Sequence, residues 1–255
     1  MHERMGKGRW VWLLLALCAT SVRPLRPVLV VVDPGHGGKD PGASGRHTKE
    51  KYITLGVALK LAELLRRDPH FRVVLTRDSD VFVELSRRAD TANKLHADLF
   101  LSIHCNANPK KEAHGSETYA LGEHKTTENL SVVMRENSAI LLEEGYQHTY
   151  EGFDPNSEEA YIIFSLVQHA YLRQSLRLAR RIEDALVEVT QRPSRGVKQA
   201  GFLVLWRTSM PAVLCEIGFI THPQEEQYLA SENGQQRIAQ ALYQALRAYV
   251  ASGQE

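Results

Sequence analysis

The fold class is decided by residues 28–38, which read VLVVVDPGHGG. The run begins with apolar, mostly β-branched side chains, which is typical of a strand buried on both faces of a parallel sheet. The Pro-Gly pair after Asp33 ends this strand and opens a glycine-rich loop. In α/β proteins, functional residues lie on the loops that follow the carboxyl ends of such strands.

Outward from this stretch, strand and helix patterns alternate along the chain. Further strands are predicted at 71–76, 98–104, 115–121, 195–206 and 211–217. The strand at 195–206 rests on its apolar residues 202–205. Helices are predicted at 49–67, 85–96, 158–190, 223–230 and 234–250. We therefore expect an α/β fold, a single three-layer αβα domain with a mixed, mostly parallel sheet of about six strands and helices on both faces.

The composition is that of an ordinary globular protein. Of the 255 residues, 43% are hydrophobic and 24% are charged, and the formal net charge is +1. These values exclude a disordered chain, a coiled coil and a multi-span membrane protein as the main description. The sequence has no basic stripe and no nucleic-acid reader motif, so it indicates no nucleic-acid partner.

Residues 1–21 have the pattern of a secretory signal peptide. Basic residues precede the apolar run 10–19, which is too short for a membrane-spanning helix of about 20 residues. Small residues then permit cleavage after Ser21, so that 22–255 would be the exported domain. Two alternatives stay open: lipid modification at Cys18, which the bulky preceding residue disfavours, and retention as an uncleaved anchor.

Four residues suited to metal or proton chemistry lie at or near the ends of predicted elements: His36, Glu50, His104 and Glu216. Two histidines and a carboxylate are a standard ligand set for catalytic zinc, and a second carboxylate can move a proton from water to a leaving amine. Plainer interpretations exist, because loop histidines are commonly solvated and an acidic residue in a first helical turn commonly serves the helix dipole. Glu216 is harder to dismiss, since a carboxylate among apolar neighbours must be paired, metal-bound or protonated.

Longer motifs carry a resemblance to a known family. They read VVDPGHGGKDPGA at 31–43, KEK at 49–51, LTR at 75–77, LSIHCNA at 101–107, RGVKQA at 195–200 and MPAVLCEIGF at 210–219. In this order, over about 28–250, the chain resembles the zinc-dependent N-acetylmuramoyl-L-alanine amidases of the amidase-3 family, and within it the division-type cell-wall amidases.

The resemblance implies a role for each motif residue. His36, Glu50 and His104 match the ligands of one Zn²⁺ ion. Glu216 matches the catalytic glutamate, and Asn106 matches a polar position beside the metal that we assign to substrate or water. The implied reaction is hydrolysis of the amide between N-acetylmuramic acid and L-alanine of peptidoglycan stem peptides, in wall remodelling or daughter-cell separation. An exported enzyme of this kind fits the periplasm, and we expect a monomer.

Other classes of protein are a zinc carboxypeptidase or deacetylase acting on cell-wall peptides, and a non-catalytic wall-binding paralogue. A non-catalytic paralogue should lack a ligand or Glu216, yet all four residues are present. A carboxypeptidase would need a cationic clamp for a free carboxylate, and no arginine stands out in these motifs.

Residues 123–160 interrupt the alternation and are longer than a connection requires. They are polar and acidic, with a helical patch that bears Glu136, Glu143 and Glu144 beside apolar residues. Residues 135–137 (REN) resemble part of a regulatory helix that some division-type members insert here, with a carboxylate on the zinc. The resemblance implies autoinhibition, relieved by an activator protein that binds the insert. The alternative is a solvated surface helix.

Two cysteines adjoin residues of the candidate site. Cys105 follows His104, and Cys215 precedes Glu216. Because neighbours on a strand point to opposite faces, both thiols are predicted to be small buried side chains in the apolar layer behind the metal. A disulfide between them is the alternative in an oxidising compartment.

Overall fold

One mixed sheet of six strands forms the centre of the molecule. A computed structural model describes residues 26–165 and 170–253, so the signal-peptide prediction for 1–21 lies outside the described residues. The strands are β1 Val28–Pro34, β2 Phe71–Leu75, β3 Leu99–Asn106, β4 Ser116–Leu121, β5 Ser194–Ala200 and β6 Ala212–Phe219. Their order is β2-β1-β3-β6-β4-β5, and only the β4–β6 pair is antiparallel. The prediction of a mixed, mostly parallel sheet is confirmed.

Helices cover both faces of this sheet. They are α1 Glu50–Arg67, α2 Leu85–Lys94, α3 Thr127–Asn137, α4 Tyr146–Thr149, α5 Glu158–Ser165, α6 Leu172–Thr190, α7 Leu203–Trp206, α8 Pro223–Ala230 and α9 Glu232–Ala251. A 3₁₀ helix, Ser138–Leu142, continues from α3. Within the two described ranges, no helix is both long and apolar enough to cross a membrane.

Alternate strand residues feed two separate cores, as expected for strands buried on both faces. In the first core, Val32 packs in one cluster with residues of α1, α6, α8 and α9. In the second core, Val31 packs with residues of α2, α3, α5 and α7. The predicted three-layer αβα arrangement is therefore confirmed.

The prediction of one long helix over 158–190 is wrong. The structure has α5 and α6 instead, and residues 170 and 171 form a turn before α6 begins. The physical reason is the two cores: Tyr161 of α5 is buried in the second core, whereas Leu178 and Ile182 of α6 are buried in the first. A straight helix cannot pack on both faces of the sheet.

The strand predicted over 195–206 is too long. β5 ends at Ala200, and residues 203–206 form the short helix α7. All of Phe202, Leu203 and Val204 are buried in the second core. A short run that is apolar throughout has no periodicity that separates a strand from a buried helical turn, which is why the sequence misled here.

The strand order brings the candidate site together. β1, β3 and β6 are parallel neighbours, so their carboxyl ends lie at one edge of the sheet. His104 and Glu216 are register partners across β3 and β6, and His36 lies on the loop after β1. Residues far apart in the chain thus meet at the edge where α/β folds place their sites.

Candidate metal centre

Four buried side chains each direct one donor atom to a common point: His36, Glu50, His104 and Glu136. These atoms all lie within 4.8 Å of one another. Nε2 of His36 is 3.0 Å from Oε1 of Glu50 and 3.1 Å from Oε2 of Glu136. Nδ1 of His104 is 3.1 Å and 2.9 Å from the same two oxygens. The first three residues come from the loop after β1, from α1 and from β3, which we call the scaffold, and Glu136 comes from α3.

These donors fit a zinc ion. Nε2 of His36, Nδ1 of His104 and Oε2 of Glu136 are buried and have no hydrogen-bond partner. An unpaired buried polar atom costs about 1–3 kcal/mol, so three of them around one point are suited to bind a shared cation. Imidazole nitrogens and carboxylate oxygens are zinc donors, and tetrahedral bonds of about 2.0–2.1 Å place such donors roughly 3.3 Å apart. The observed spacings are close to that value.

His36 is held by its own loop. Its backbone has φ of 61°, in the left-handed region that is uncommon for a residue with a side chain. Nδ1 of its ring lies 2.8 Å from Oδ2 of Asp40. A carboxylate at the second ring nitrogen sets the tautomer and the orientation of a metal-binding histidine.

Two buried arginines secure the main chain of the same loop. Arg88 donates to the carbonyl oxygens of Pro34 and His36 and pairs with Asp33 at 2.8 Å. Arg77 donates to the carbonyl oxygens of Pro34 and Gly35. Each guanidinium satisfies carbonyl groups that an irregular buried loop would otherwise leave unpaired.

Two glycines make room for the donor side chains. A Cβ atom at Gly35 would lie 2.4 Å from Cε1 of His104. One at Gly42, where φ is 64°, would lie 2.6 Å from Oε2 of Glu50. Any larger residue at these two positions would collide with the donors, so the glycine-rich loop is a steric requirement of the cluster.

Glu50 is fixed by backbone donors. Its Oε2 accepts from the amide of Ala43, and its Oε1 accepts from the amide of Cys105, both at 2.8 Å. Burial acts to raise the pKa of Glu50, but the charge of His36 and side-chain hydrogen bonds with His104 and His36 outweigh it and lower the pKa to about 2. Glu50 is thus held as a carboxylate, which is the form that binds a metal.

Glu216 lies beside the cluster without belonging to it. It is fully buried on β6, and its Oε2 has no hydrogen-bond partner. Its Oε1 is 3.5 Å from Nη2 of Arg135 on α3. Burial raises the pKa of Glu216 well above its usual range, and the nearby charge of Glu136 raises it further. A carboxyl group of this kind is suited to accept and release a proton.

The insert lies over the site. Arg135 donates to Oε1 of Glu136 at 2.8 Å and to the carbonyl oxygen of Ala107. Asn137 donates to the carbonyl oxygen of Gly201 and accepts from the amide of Leu203. These bonds dock α3 against the loop after β3 and against α7.

The three acidic residues that the sequence analysis named in this insert lie in different places. Glu136 joins the donor cluster. Glu143 accepts from the amide of Leu85 and the hydroxyl of Tyr150, and Glu144 is exposed. Among the described residues, Glu136 alone brings an acidic side chain from the insert to the cluster.

Asn106 links the cluster to its surroundings. It is 1% exposed, and its Nδ2 donates to Glu117 at 2.6 Å. Its Oδ1 accepts from the amide of Ala107 and from Nη2 of Arg135. The side chain that we assign to substrate or water is therefore engaged with α3 in this structure.

Cys105 and Cys215 are both free thiols buried in the first core. They lie on the neighbouring strands β3 and β6, on the face away from the donor cluster. Burial raises the pKa of both thiols well above the usual range. The structure thus shows the expected buried side chains rather than the alternative disulfide.

Comparison with known proteins assigns the chain to a family. The family model described as N-acetylmuramoyl-L-alanine amidase (Amidase_3) matches residues 30–248. The chain belongs to this family. Membership agrees with the resemblance that the motifs carry, and the fold is that of an amidase domain.

Relatives and solved structures agree with the family model. The chain is similar to N-acetylmuramoyl-L-alanine amidase AmiC of Escherichia coli O6:H1, with 32% identity over 89% of this chain and 54% of that protein. It is 36% identical to AmiA of Escherichia coli K12, over 87% of this chain and 75% of that protein. The chain thus spans about half the length of the AmiC relative.

Among solved structures, the N-acetylmuramoyl-L-alanine amidase of Clostridium difficile 630 has a TM-score of 0.67 and 28% identity, over 89% of this chain and 99% of that one. The catalytic domain of the amidase CwlV from Paenibacillus polymyxa has a TM-score of 0.64 and 29% identity, over 88% and 98%. The amidase domain described above is therefore shared with both.

Sequence reasoning missed several residues that shape the site. Asp40 has a usable signal, because it lies four residues after His36 in the same glycine-rich loop. Arg88 has no such signal, since it is one of three basic residues in an amphipathic helix. Only the packing of α2 turns it toward the site.

Proposed function

We propose that this protein is a zinc-dependent N-acetylmuramoyl-L-alanine amidase that acts on peptidoglycan. The proposal is carried by the buried cluster of His36, Glu50, His104 and Glu136, whose unpaired nitrogens and oxygen suit zinc, with a buried carboxyl group beside it. Family membership supplies the substrate class. The bond cleaved is the amide between N-acetylmuramic acid and the L-alanine of the stem peptide.

Each residue has a distinct task in this reaction. His36, Glu50 and His104 would hold the ion, which when bound supplies a Lewis acid for the scissile carbonyl and acidifies water. Glu216 takes a proton from the attacking water and passes it to the departing amine of L-alanine. A carboxyl group can take up that proton and release it again within one reaction cycle. Asn106 contacts substrate or water once α3 has moved.

The docked position of α3 supports autoinhibition of the enzyme. Glu136 would take the coordination position that water or substrate needs, and Arg135 lies against Glu216. A closed state of this kind is opened by a ligand with higher affinity for the open state. We propose that an activator protein binds the insert 123–160 and withdraws α3.

The surface of the insert supports this regulation. Val133 and Ile140 are buried in the second core, whereas Leu141 is 45% exposed and Leu142 is 38% exposed. The two exposed leucines end the 3₁₀ helix that continues from α3, so a partner that binds them would pull on the helix that carries Glu136.

The cellular setting is also part of the proposal. The pattern of residues 1–21 supports export across the inner membrane, and the division-type resemblance supports a periplasmic monomer that remodels the wall or separates daughter cells. Peptidoglycan is the macromolecular substrate.

Product identity tests the proposed reaction. The purified protein, with its zinc content measured, is incubated with cell wall. We expect about one zinc ion per chain, and free lactyl ends of muramic acid matched by new L-alanine amino termini. Release of D-alanine would instead indicate a carboxypeptidase, and release of acetate a deacetylase. A zinc-loaded protein that releases nothing, even after α3 is unlocked, would indicate a non-catalytic paralogue.

A further inference from the structure

A second buried carboxylate, next to the donor cluster, forms ion pairs with two cationic side chains. Glu117 is fully buried on β4, opposite Glu216 on β6. Its Oε1 accepts from Asn106 and from a tyrosine hydroxyl, both at 2.6 Å. Its Oε2 accepts from Nε of Arg195 at 2.9 Å and from Nζ of Lys198 at 2.5 Å. Two cations of β5 therefore share one anion, which leaves a surplus of one positive charge.

The insert neutralises this surplus. Glu128, in the first turn of α3, accepts from Nη2 of Arg195. The guanidinium also lies 5.1 Å from the ring centre of Phe219, so a cation–π contact adds to the ion pair with Glu128. Glu117 is permanently buried, whereas the side chain of Glu128 is 43% exposed. Glu128, the anion that balances the second cation, thus belongs to α3, the helix that we propose to be removable.

A groove lies in front of Arg195. It has a volume of about 560 Å³, and its lining includes Asn108, Lys110, Glu128 and Arg195. Asn108 lies two residues beyond Asn106, which contacts Arg135 over the metal cluster. A peptide that leaves the cluster along this loop would pass in front of the guanidinium.

We propose that Arg195, oriented by Glu117, binds a carboxylate of the acidic stem peptide, and that Glu128 occupies this subsite while α3 is docked. Arginine suits the role, because its planar fork can bind a carboxylate through two nitrogens while Nε stays with Glu117. The identity of the ligand rests on the proposed function. Arg195 is the first residue of the RGVKQA motif, in which the sequence alone gave it no role.

Binding of a peptide that cannot be hydrolysed tests the subsite without turnover. The probe is a synthetic acidic stem tripeptide that begins with L-alanine, compared with the same peptide carrying carboxamides, by calorimetry on the full chain. We expect Glu128→Gln to bind the acidic peptide about tenfold more tightly than the unchanged protein, with no gain for the carboxamide. The matched control is Glu112→Gln, an exposed acid that lines the same groove without contacting Arg195.

Substitution of Arg195 completes the test. In the Glu128→Gln protein, Arg195→Gln should abolish the preference for the acidic peptide, and Arg195→Lys, which keeps the charge beside Glu117 and so preserves folding, should retain part of it. An unchanged preference in Arg195→Gln, or an equal gain in Glu112→Gln, overturns the subsite. Hydrolysis is measured separately, on cell wall. Binding of the acidic peptide without release of lactyl ends from cell wall contradicts the proposed function alone. Release of lactyl ends without a preference for the acidic peptide contradicts the subsite alone.

Discussion

Two parts of the molecule supply the donor atoms, and they are built differently. Three donor residues, His36, Glu50 and His104, are held by buried hydrogen bonds with the main chain and by the carboxylate of Asp40. Arg88 also donates to carbonyl oxygens of the loop after β1. Glu136 reaches the same point from α3, which is docked through hydrogen bonds of Arg135 and Asn137 and through buried apolar side chains such as Val133. The scaffold donors are tied to the sheet edge, whereas in the proposed autoinhibition the fourth donor would leave with its helix.

Under the proposed autoinhibition, this difference would let one cluster serve both catalysis and its restraint. Bonds made through buried backbone persist as long as the core is folded, because each would leave an unpaired group if broken. Side-chain contacts of a partly exposed helix open at a lower free-energy cost. The proposed closed state therefore rests on three scaffold donors and on one donor that would move with α3.

The largest expected effect comes from removing a scaffold donor. His104→Ala should lose the metal and reduce hydrolysis to background, because the scaffold then keeps only two of its three donors, one nitrogen and one oxygen. Metal content by mass spectrometry and release of lactyl ends measure both effects. His148→Ala, an exposed histidine of α4, is the control and should keep both.

Loss of the proton carrier should separate catalysis from metal binding. Glu216→Gln keeps all four donors, so it should retain the ion, while hydrolysis should fall by about 10²–10⁴-fold. Turnover close to that of the unchanged protein would remove Glu216 from the proton-transfer role. The folded state is checked by the thermal unfolding midpoint.

A smaller effect is expected when the carboxylate that orients the His36 ring is removed. Asp40→Ala removes the carboxylate at Nδ1 of His36 and should weaken zinc affinity by about 10–100-fold, with the fold retained. Competition with a chelator of known affinity measures the change. An unaltered affinity would show that the loop backbone alone orients the ring.

Substitution of Glu136, the donor from α3, should raise hydrolysis rather than lower it. Glu136→Ala should raise basal hydrolysis by about tenfold and reduce dependence on an activator, because it weakens the closed state. Glu144→Ala, an exposed acid of the same insert, is the control. Deletion of about 129–150 is a blunter test, since it also removes Val133 and Ile140 from the second core. A folded, zinc-loaded Glu136→Ala protein with unchanged activity would leave the insert as a surface helix.

Much of the fold could be predicted because its signals are local. The apolar run 28–32 and the period of the α1 and α9 helices identify buried elements from adjacent residues alone. The break before α6 and the helical turn of α7 could not be predicted, because both depend on which core each segment enters. For the site, the histidines and glutamates of the motifs were accessible through their resemblance to a family.

The sequence by itself determined the alternation of strands and helices, the family and the residues with metal chemistry, since each depends on residue type and order along the chain. Only the tertiary structure decided that Glu136, rather than Glu143 or Glu144, meets the histidines, and that Arg195 lies beside Glu117. These are contacts between elements distant in the chain. Their geometry follows from strand order and helix docking, which no local pattern of residues encodes.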